Sequence, residues 1–314
     1  MKKKELNKPN ISQIIREVAV KFGFLDCGFS KIRPLNEYRE PYLNWLRKGH
    51  HAGMAYMEQN IDKRIDPALL VDGAKSVISF LYNYYSLEKL QGSELQIAKY
   101  AYGKDYHEVI GDKLKQLTQL ITSMAGKAVQ RSFVDTAPIM ERVWAQNAGL
   151  GWIGKNSCLI SRSHGSFVFI AEIVTSLEFD EDNAPSRDYC GSCRRCIDNC
   201  PTEAITENRT IDSNKCISYQ TIENRGDIPI KLKEKFQRYI FGCDICQDVC
   251  PWNRRAKAHA EPLFHLRPEI RDMTLDGWKN LDEKTHQTIF QKSAVKRAKY
   301  VGLKRNIDFV TDKS

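Results

Sequence analysis

"CGSCRRCIDNCP", residues 190–201, carries four cysteines at spacings of two, two and three, with a proline after the last. A shorter run, "CDICQDVCP" at 243–251, carries three more at two and three, again closed by proline. Cys216 in "NKCISY" completes a set of eight between Cys190 and Cys250. In bacterial two-cluster ferredoxins, C-x2-C-x2-C-x3-C-P gives three cysteines to one iron–sulfur cube and lends the fourth to the other. The first run matches at every cysteine and at the proline. The second is one cysteine short, and Cys216 supplies it. Interleaving assigns Cys190, Cys193, Cys196 and Cys250 to one cluster, and Cys200, Cys216, Cys243 and Cys246 to the other. The alternative is zinc, whose structural sites use paired C-x2-C knuckles. Three cysteines at successive x2 spacing would crowd one tetrahedral ion, so the spacing predicts two [4Fe–4S] clusters.

The 314 residues suggest about two domains. Hydrophobic residues make up 42%, enough for a real core. No apolar run approaches the ~20 residues that a membrane span needs. "MKKKELNKPN" is charged, but no apolar stretch follows, so a secretory signal is not expected. The chain is therefore expected in the cytosol, where thiols stay reduced and a disulfide framework is disfavoured. The formal charge is +9. Eight thiolates around two cluster cores of about +2 each would lower it by about four and leave the chain basic. A basic surface suits an anionic partner such as nucleic acid.

"NISQIIREVAVKFGF" places Ile11, Ile14, Ile15, Val18, Ala19 and Phe22 on one helical face. "AKSVISFLYNYY" reads as a buried strand. "DYHEVIGDKLKQLTQLITSMAG" is a helix stopped near Gly126, and "RSFVDT" a short strand ending in a polar turn. "PIMERVWAQNAGLG" reads as a helix opened by proline and closed by glycine. "SCLISRSHGSFVFIAEIVTS" reads as a hairpin turning at "RSHGS". The expected fold class is α+β, with three parts. Residues 1–180 form an N-terminal catalytic domain, 181–262 a ferredoxin-like domain, and 263–314 a short, basic, helical tail. No dinucleotide-binding G-x-G-x-x-G and no Walker P-loop is present. "GLGWIGKN" is glycine-rich but follows a helix, which makes it a tight turn.

Several blocks together resemble the epoxyqueuosine reductases: "FVDTAPIMERVWAQNAGLGWIGKN", "YGKDYH", "AEIVTS", both cysteine runs, "CISYQTIENRG" and "SAVKRAKYVGLKRN". The resemblance spans nearly the whole chain, in order. It implies that the N-terminal domain binds cobalamin and that the enzyme reduces the epoxide of epoxyqueuosine at the tRNA wobble position to queuosine. The same resemblance makes Asp135 of "VDTAP" the proton donor, a role that asks for a carboxyl raised by burial. It assigns cobalamin contacts to Arg64, Asp135, Arg142, Asn156, Ser218 and Gln247. It also implies a cobalamin without a protein histidine beneath cobalt, which leaves His107 of "KDYH" a structural place. Cys27 and Cys158 read as buried hydrophobes. The expected partners are a tRNA carrying epoxyqueuosine and a low-potential electron donor that the sequence does not name. No membrane partner is expected, and the chain is expected to act as a monomer. Arg225, Lys296, Arg297 and Lys299 are the tRNA-binding candidates, since basic stretches flank the cluster domain.

Two other functions compete. One is a cobalamin enzyme of the reductive dehalogenase type acting on a small molecule. The absent export signal and blocks such as "TIENRG" weigh against it. The other is a plain electron carrier, against which the large N-terminal domain argues.

Overall fold

A computed structural model describes residues 11–182, 187–206 and 209–312. The charged stretch 1–10 lies outside the described residues. The strands are β1 (Phe24–Lys31), β2 (Ser76–Asn83), β3 (Gln96–Ile97), β4 (Gln130–Phe133), β5 (Trp152–Ile153), β6 (Leu159–Ile160), β7 (Val168–Thr175) and β8 (Tyr239–Phe241). Among the helices, α1 (Ile11–Lys21), α2 (Asn36–Arg47), α3 (Ile61–Ile65), α4 (Tyr106–Ala125) and α5 (Glu141–Asn147) precede the cysteines. Within and after them come α6 (Arg195–Asp198), α7 (Ile217–Ile222), α8 (Ile245–Asp248), α9 (Pro268–Arg271), α10 (Leu275–Lys279), α11 (Glu283–Phe290) and α12 (Lys299–Thr311). The arrangement is α+β, as expected.

The main sheet has the order β1-β2-β7-β4, and its neighbours all pair antiparallel. β2 is buried at every position but Asn83 because helices cover both faces. Ile78, Phe80 and Tyr82 join the large core with residues of α1 and α4. Val77 and Leu81, pointing the other way, pack with residues of α5. A strand covered on both faces reads as a continuous apolar run rather than an alternation. Helix α4 buries Tyr106, Val109, Ile110, Leu114, Leu117 and Ile121, at three- and four-residue spacing. Each such side chain contributes roughly 1.5–3 kcal/mol. Gly28 lets α5 close on β1: a Cβ there would stand 2.1 Å from the Ala148 carbonyl oxygen.

Two local expectations change. The stretch 157–176 is not a simple hairpin. A single bridge, Ser161 to Gly165, does turn the chain. But β6 pairs with β5, whereas β7 pairs with β2 and β4. The chain turns at "RSHGS" and then leaves for the large sheet, where β7 finds longer apolar partners. Helix α5 also starts at Glu141, three residues after Pro138. The residues between form a turn closed by the Ile139 N–H on the Ala137 carbonyl.

The cysteine region is tied to both of its neighbours. β3 pairs parallel with β8. Helix α12 reaches back through the buried Asn306, whose Nδ2 donates to the carbonyls of Thr221 (2.8 Å) and Ile240 (2.9 Å). Residues of the tail, including Trp278, Phe290, Leu303 and Ile307, share one core with α1, α4 and the sheet. Among the described residues no helix is long and apolar enough to cross a membrane.

Candidate functional site

All ten cysteines are free thiols, so no disulfide framework forms. Cys190, Cys193, Cys196 and Cys250 line one cavity of ≈ 70 Å³, together with Tyr189, Trp252 and Lys155. The interleaved first set is therefore assembled in space, although Cys250 comes from the second run. Burial and then Cys190 and Cys250 push the Cys196 thiol up to about 11. Burial, followed by Cys190 and Cys193, raises Cys250. The Trp152 indole N–H donates to Cys190 Sγ at 3.4 Å, and Lys155 Nζ clamps the run through the carbonyls of Gly191 and Cys193.

The second set converges likewise. Burial raises the Cys243 thiol, with Cys216 and Cys200 adding to it. Cys216 is raised by burial, and Cys200 adds to it. The thiol of Cys246 is raised first by a hydrogen bond with Cys158 and then by burial, with Cys243 and Cys216 beside it. Thiols crowded together like this cannot all ionise without positive charge among them. Iron supplies that charge, so the donor set fits a cluster. Cys158 is not the buried hydrophobe expected from sequence: it is half-buried against Cys246, with Arg142 near it. Cys27 is buried as expected.

Asp135 lies two residues beyond β4, at φ = +52°. Its Oδ2 accepts the Tyr106 hydroxyl at 2.6 Å and stands 4.0 Å from His107 Nε2. Its backbone N–H donates to Glu141 Oε1 at 2.7 Å. The Asp135 side chain is 64% exposed, so its own chain does not provide the burial that an acid role requires. Burial, with help from the Asp135 charge, raises the Tyr106 hydroxyl and keeps it a donor. Tyr106 is set by stacking on Phe169, with ring centroids 4.1 Å apart at 10°. His107 Nδ1 sits 2.7 Å from Asp105, which in turn pairs with Lys296 at 3.0 Å. Burial alone would raise the Asp105 carboxyl, but hydrogen bonds from His107 and Lys296 hold it well below the usual range.

The remaining candidates divide. Arg64 donates to the Tyr56 carbonyl (3.2 Å), while its Nε is buried without a partner among the described residues. Arg142 donates to the Ser157 carbonyl (2.6 Å). Asn156 is 5% exposed; its Oδ1 accepts the Cys158 N–H, and its Nδ2 has no partner among the described residues. Ser218 sits near the start of α7, two residues after Cys216. The Gln247 amide is engaged internally by Ser166 (2.8 Å) and Tyr84 (3.1 Å). Arg225 spends its guanidinium on the carbonyls of Ile222, Arg297 and Ala298. Arg297 forks onto Glu223 (2.8 and 3.0 Å), while Lys299 is exposed. Sequence reasoning missed Tyr106 and Glu141. Each sits beside a residue it singled out, but a tyrosine opening a helix and a glutamate in a first turn both have ordinary structural uses.

A family model for a 4Fe-4S double cluster binding domain matches residues 189–253. A second, described as epoxyqueuosine reductase QueG, DUF1730, matches residues 64–136. The epoxyqueuosine reductase of Cellulophaga algicola is 49% identical over 303 residues, 96% of this chain and 99% of its own. The crystal structure of an epoxyqueuosine reductase with an epoxyqueuosine-modified tRNA-Tyr stem loop is 28% identical, with a TM-score of 0.89 over 95% of this chain and 80% of that one. The Bacillus subtilis enzyme, with its catalytic aspartate loop swung out of the active site, is 27% identical, with a TM-score of 0.88 over the same shares.

Proposed function

The chain belongs to the epoxyqueuosine reductase family, and from that premise we infer that it reduces epoxyqueuosine in tRNA to queuosine. The epoxide becomes an alkene and its oxygen leaves as water, so the change consumes two electrons and two protons. The observation that carries this reading is Asp135: an acid on an exposed left-handed turn, hydrogen-bonded to Tyr106, in the same chain as two four-cysteine sets.

The two clusters, when bound, supply electrons singly. Cobalamin, when bound, supplies a low-valent cobalt that is a strong reductant and nucleophile. The residues assigned to cobalamin are Arg64, Asp135, Arg142, Asn156, Ser218 and Gln247. Arg64 Nε and Asn156 Nδ2 fit a polar ligand, because they are buried donors with no partner among the described residues. Gln247 fits less well, its amide being held by Ser166 and Tyr84.

Asp135 gives a proton to the departing epoxide oxygen. Its exposure leaves room for the substrate, and a substrate seated over it would take the carboxyl out of water, the burial that an acid role asks for. Tyr106 and His107 fix the orientation of its side chain. Lys296 reaches the same site through Asp105 and His107, so the basic stretch 292–305 borders the acid. Lys296, Arg297 and Lys299, with Arg225 bracing them, hold anticodon phosphates while the wobble base is splayed into the site. A low-potential reductant of unnamed identity feeds the clusters, and the tRNA substrate puts the reaction in the cytosol.

The test is nucleoside analysis of epoxyqueuosine-containing tRNA after anaerobic incubation with the cluster-loaded enzyme, cobalamin and a chemical reductant. Queuosine should form only when all three are present. Cobalamin-independent turnover, or a loaded enzyme inert on this tRNA, would overturn the reading.

A further inference from the structure

Asp135 sits at φ = +52°, in the left-handed region that residues with a side chain seldom occupy. Such a conformation persists only when its surroundings hold it. The surroundings divide the task. Tyr106 holds the side chain through Oδ2. The main chain is held by Glu141, whose Oε1 accepts the Asp135 N–H at 2.7 Å. That bond closes "DTAPIME" into a loop (residues 135–141), with the rigid Pro138 inside it.

Glu141 is well placed to hold the loop because it is itself anchored. It opens α5, whose next three residues after Arg142 are buried against the sheet: Val143, Trp144 and Ala145. The Ile153 N–H donates to Gln146 Oε1 at 3.0 Å and ties down the far end of the helix. On the sheet side, the Glu141 charge reaches Glu172, a fully buried residue of β7 opposite Ser79, and helps raise that carboxyl. Glu141 thus connects a rigid element to an exposed turn.

We propose that Glu141 is a positioning residue that locks the Asp135 turn in its proton-delivering orientation by accepting the Asp135 backbone N–H. The proposal rests on the reading of Asp135 as the acid. Without that acceptor, the turn relaxes toward ordinary backbone angles and carries the carboxyl away from the substrate.

The test compares Glu141→Ala, Glu141→Gln and Asp135→Asn in the cluster- and cobalamin-loaded enzyme, with hydrogen exchange on the 133–140 segment as a second readout. In Glu141→Ala the Asp135 amide should exchange at least about tenfold faster, as expected when an amide loses its acceptor. The kcat should fall by about 10²-fold, the order associated with a 1 Å misplacement. The KM for tRNA should stay within about twofold, because only transition-state geometry is lost. Glu141→Gln keeps an acceptor oxygen and should recover most of both losses. Combining Glu141→Ala with Asp135→Asn should be no slower than Asp135→Asn alone, and additive losses would contradict the proposal. If Glu141→Ala fails to retain its iron, Glu141→Asp makes the same comparison, being one methylene too short to reach. If Asp135→Asn turns over normally, the acid reading is what fails. If Asp135→Asn is inactive while Glu141→Ala exchanges and turns over like the parent, this inference falls and the acid reading stands.

Discussion

The Tyr106 hydroxyl donates to Asp135 Oδ2 across 2.6 Å. Tyr106 opens α4 and Asp135 follows β4, so one bond joins the start of a core helix to the end of an edge strand. Tyr106→Phe keeps the ring stacked on Phe169 and removes only this donor. A hydrogen bond to a charged group is worth about 1.5–3 kcal/mol, so turnover should fall roughly 10- to 100-fold with iron content and thermal stability nearly unchanged. Unaltered turnover would show that the bond does not orient the acid.

The first cysteine set draws on both runs, since Cys250 lines the cavity of Cys190, Cys193 and Cys196. Anaerobically purified protein should carry about eight irons and eight labile sulfides per chain, and Cys250→Ser should retain about four. The surviving cluster should be the one on Cys200, Cys216, Cys243 and Cys246, so a further Cys243→Ser change should abolish it. Cys158→Ala should keep all eight irons, because Cys158 hydrogen-bonds to Cys246, assigned to the second set, without belonging to either set. Loss of a cluster in Cys158→Ala would redefine the second site.

Glu141 gives the stability curve a definite sign. Burial, and then the Asp135 charge, push its carboxyl from 4.5 up to about 8. Between those values the folded chain holds a proton that the unfolded chain has released. The stabilisation is therefore fully present below pH 4.5 and is lost as pH rises through about 8. Glu141→Gln cannot ionise. Its melting temperature should gain on the parent's between roughly pH 5 and pH 8 and hold a constant lead above that. Glu172 is raised first by its own burial and then by the Glu141 charge; Glu141→Gln removes that second contribution, which moves the gap in the same direction. A gap that shrinks with rising pH would contradict the assignment.

The basic candidates should separate into two classes. Lys299 is exposed and Lys296 is half-exposed on Asp105, so alanine at either should raise the KM for tRNA and flatten its salt dependence. Arg225 instead spends its donors on three backbone carbonyls. Arg225→Ala should lower the melting temperature before it alters salt dependence. Equal effects on salt dependence at all three positions, with no loss of stability at Arg225, would erase the distinction.

What the sequence made legible was chemistry set by local spacing. Ligand cysteines must be spaced to fit a cube, so both sets could be written down, and the structure brings each together. β2 and α4 were readable because burial on both faces, or along one helical face, leaves an apolar pattern. Elsewhere the deciding contacts are tertiary. β5 and β6 have two residues each, too few to show a period. The departure of β7 from the expected hairpin depends on partners in β2 and β4 that no local pattern announces. Gly165 (φ = +74°) also admits Asn253 so closely that a Cβ would stand 2.2 Å from its Oδ1, a contact invisible in "RSHGS". Glu141 and Cys158 acquire their places only when α5 and α8 are packed.

Asp135 is the residue on which the account turns. The decisive measurement is single-turnover formation of queuosine in epoxyqueuosine-containing tRNA by Asp135→Asn, alongside its iron content and its cobalamin spectrum. Parental iron and spectrum are expected, with turnover slowed by about 10²–10⁴, the usual worth of a positioned general acid. An Asp135→Asn enzyme that forms queuosine at nearly the parental rate would contradict the proton-donor role of Asp135.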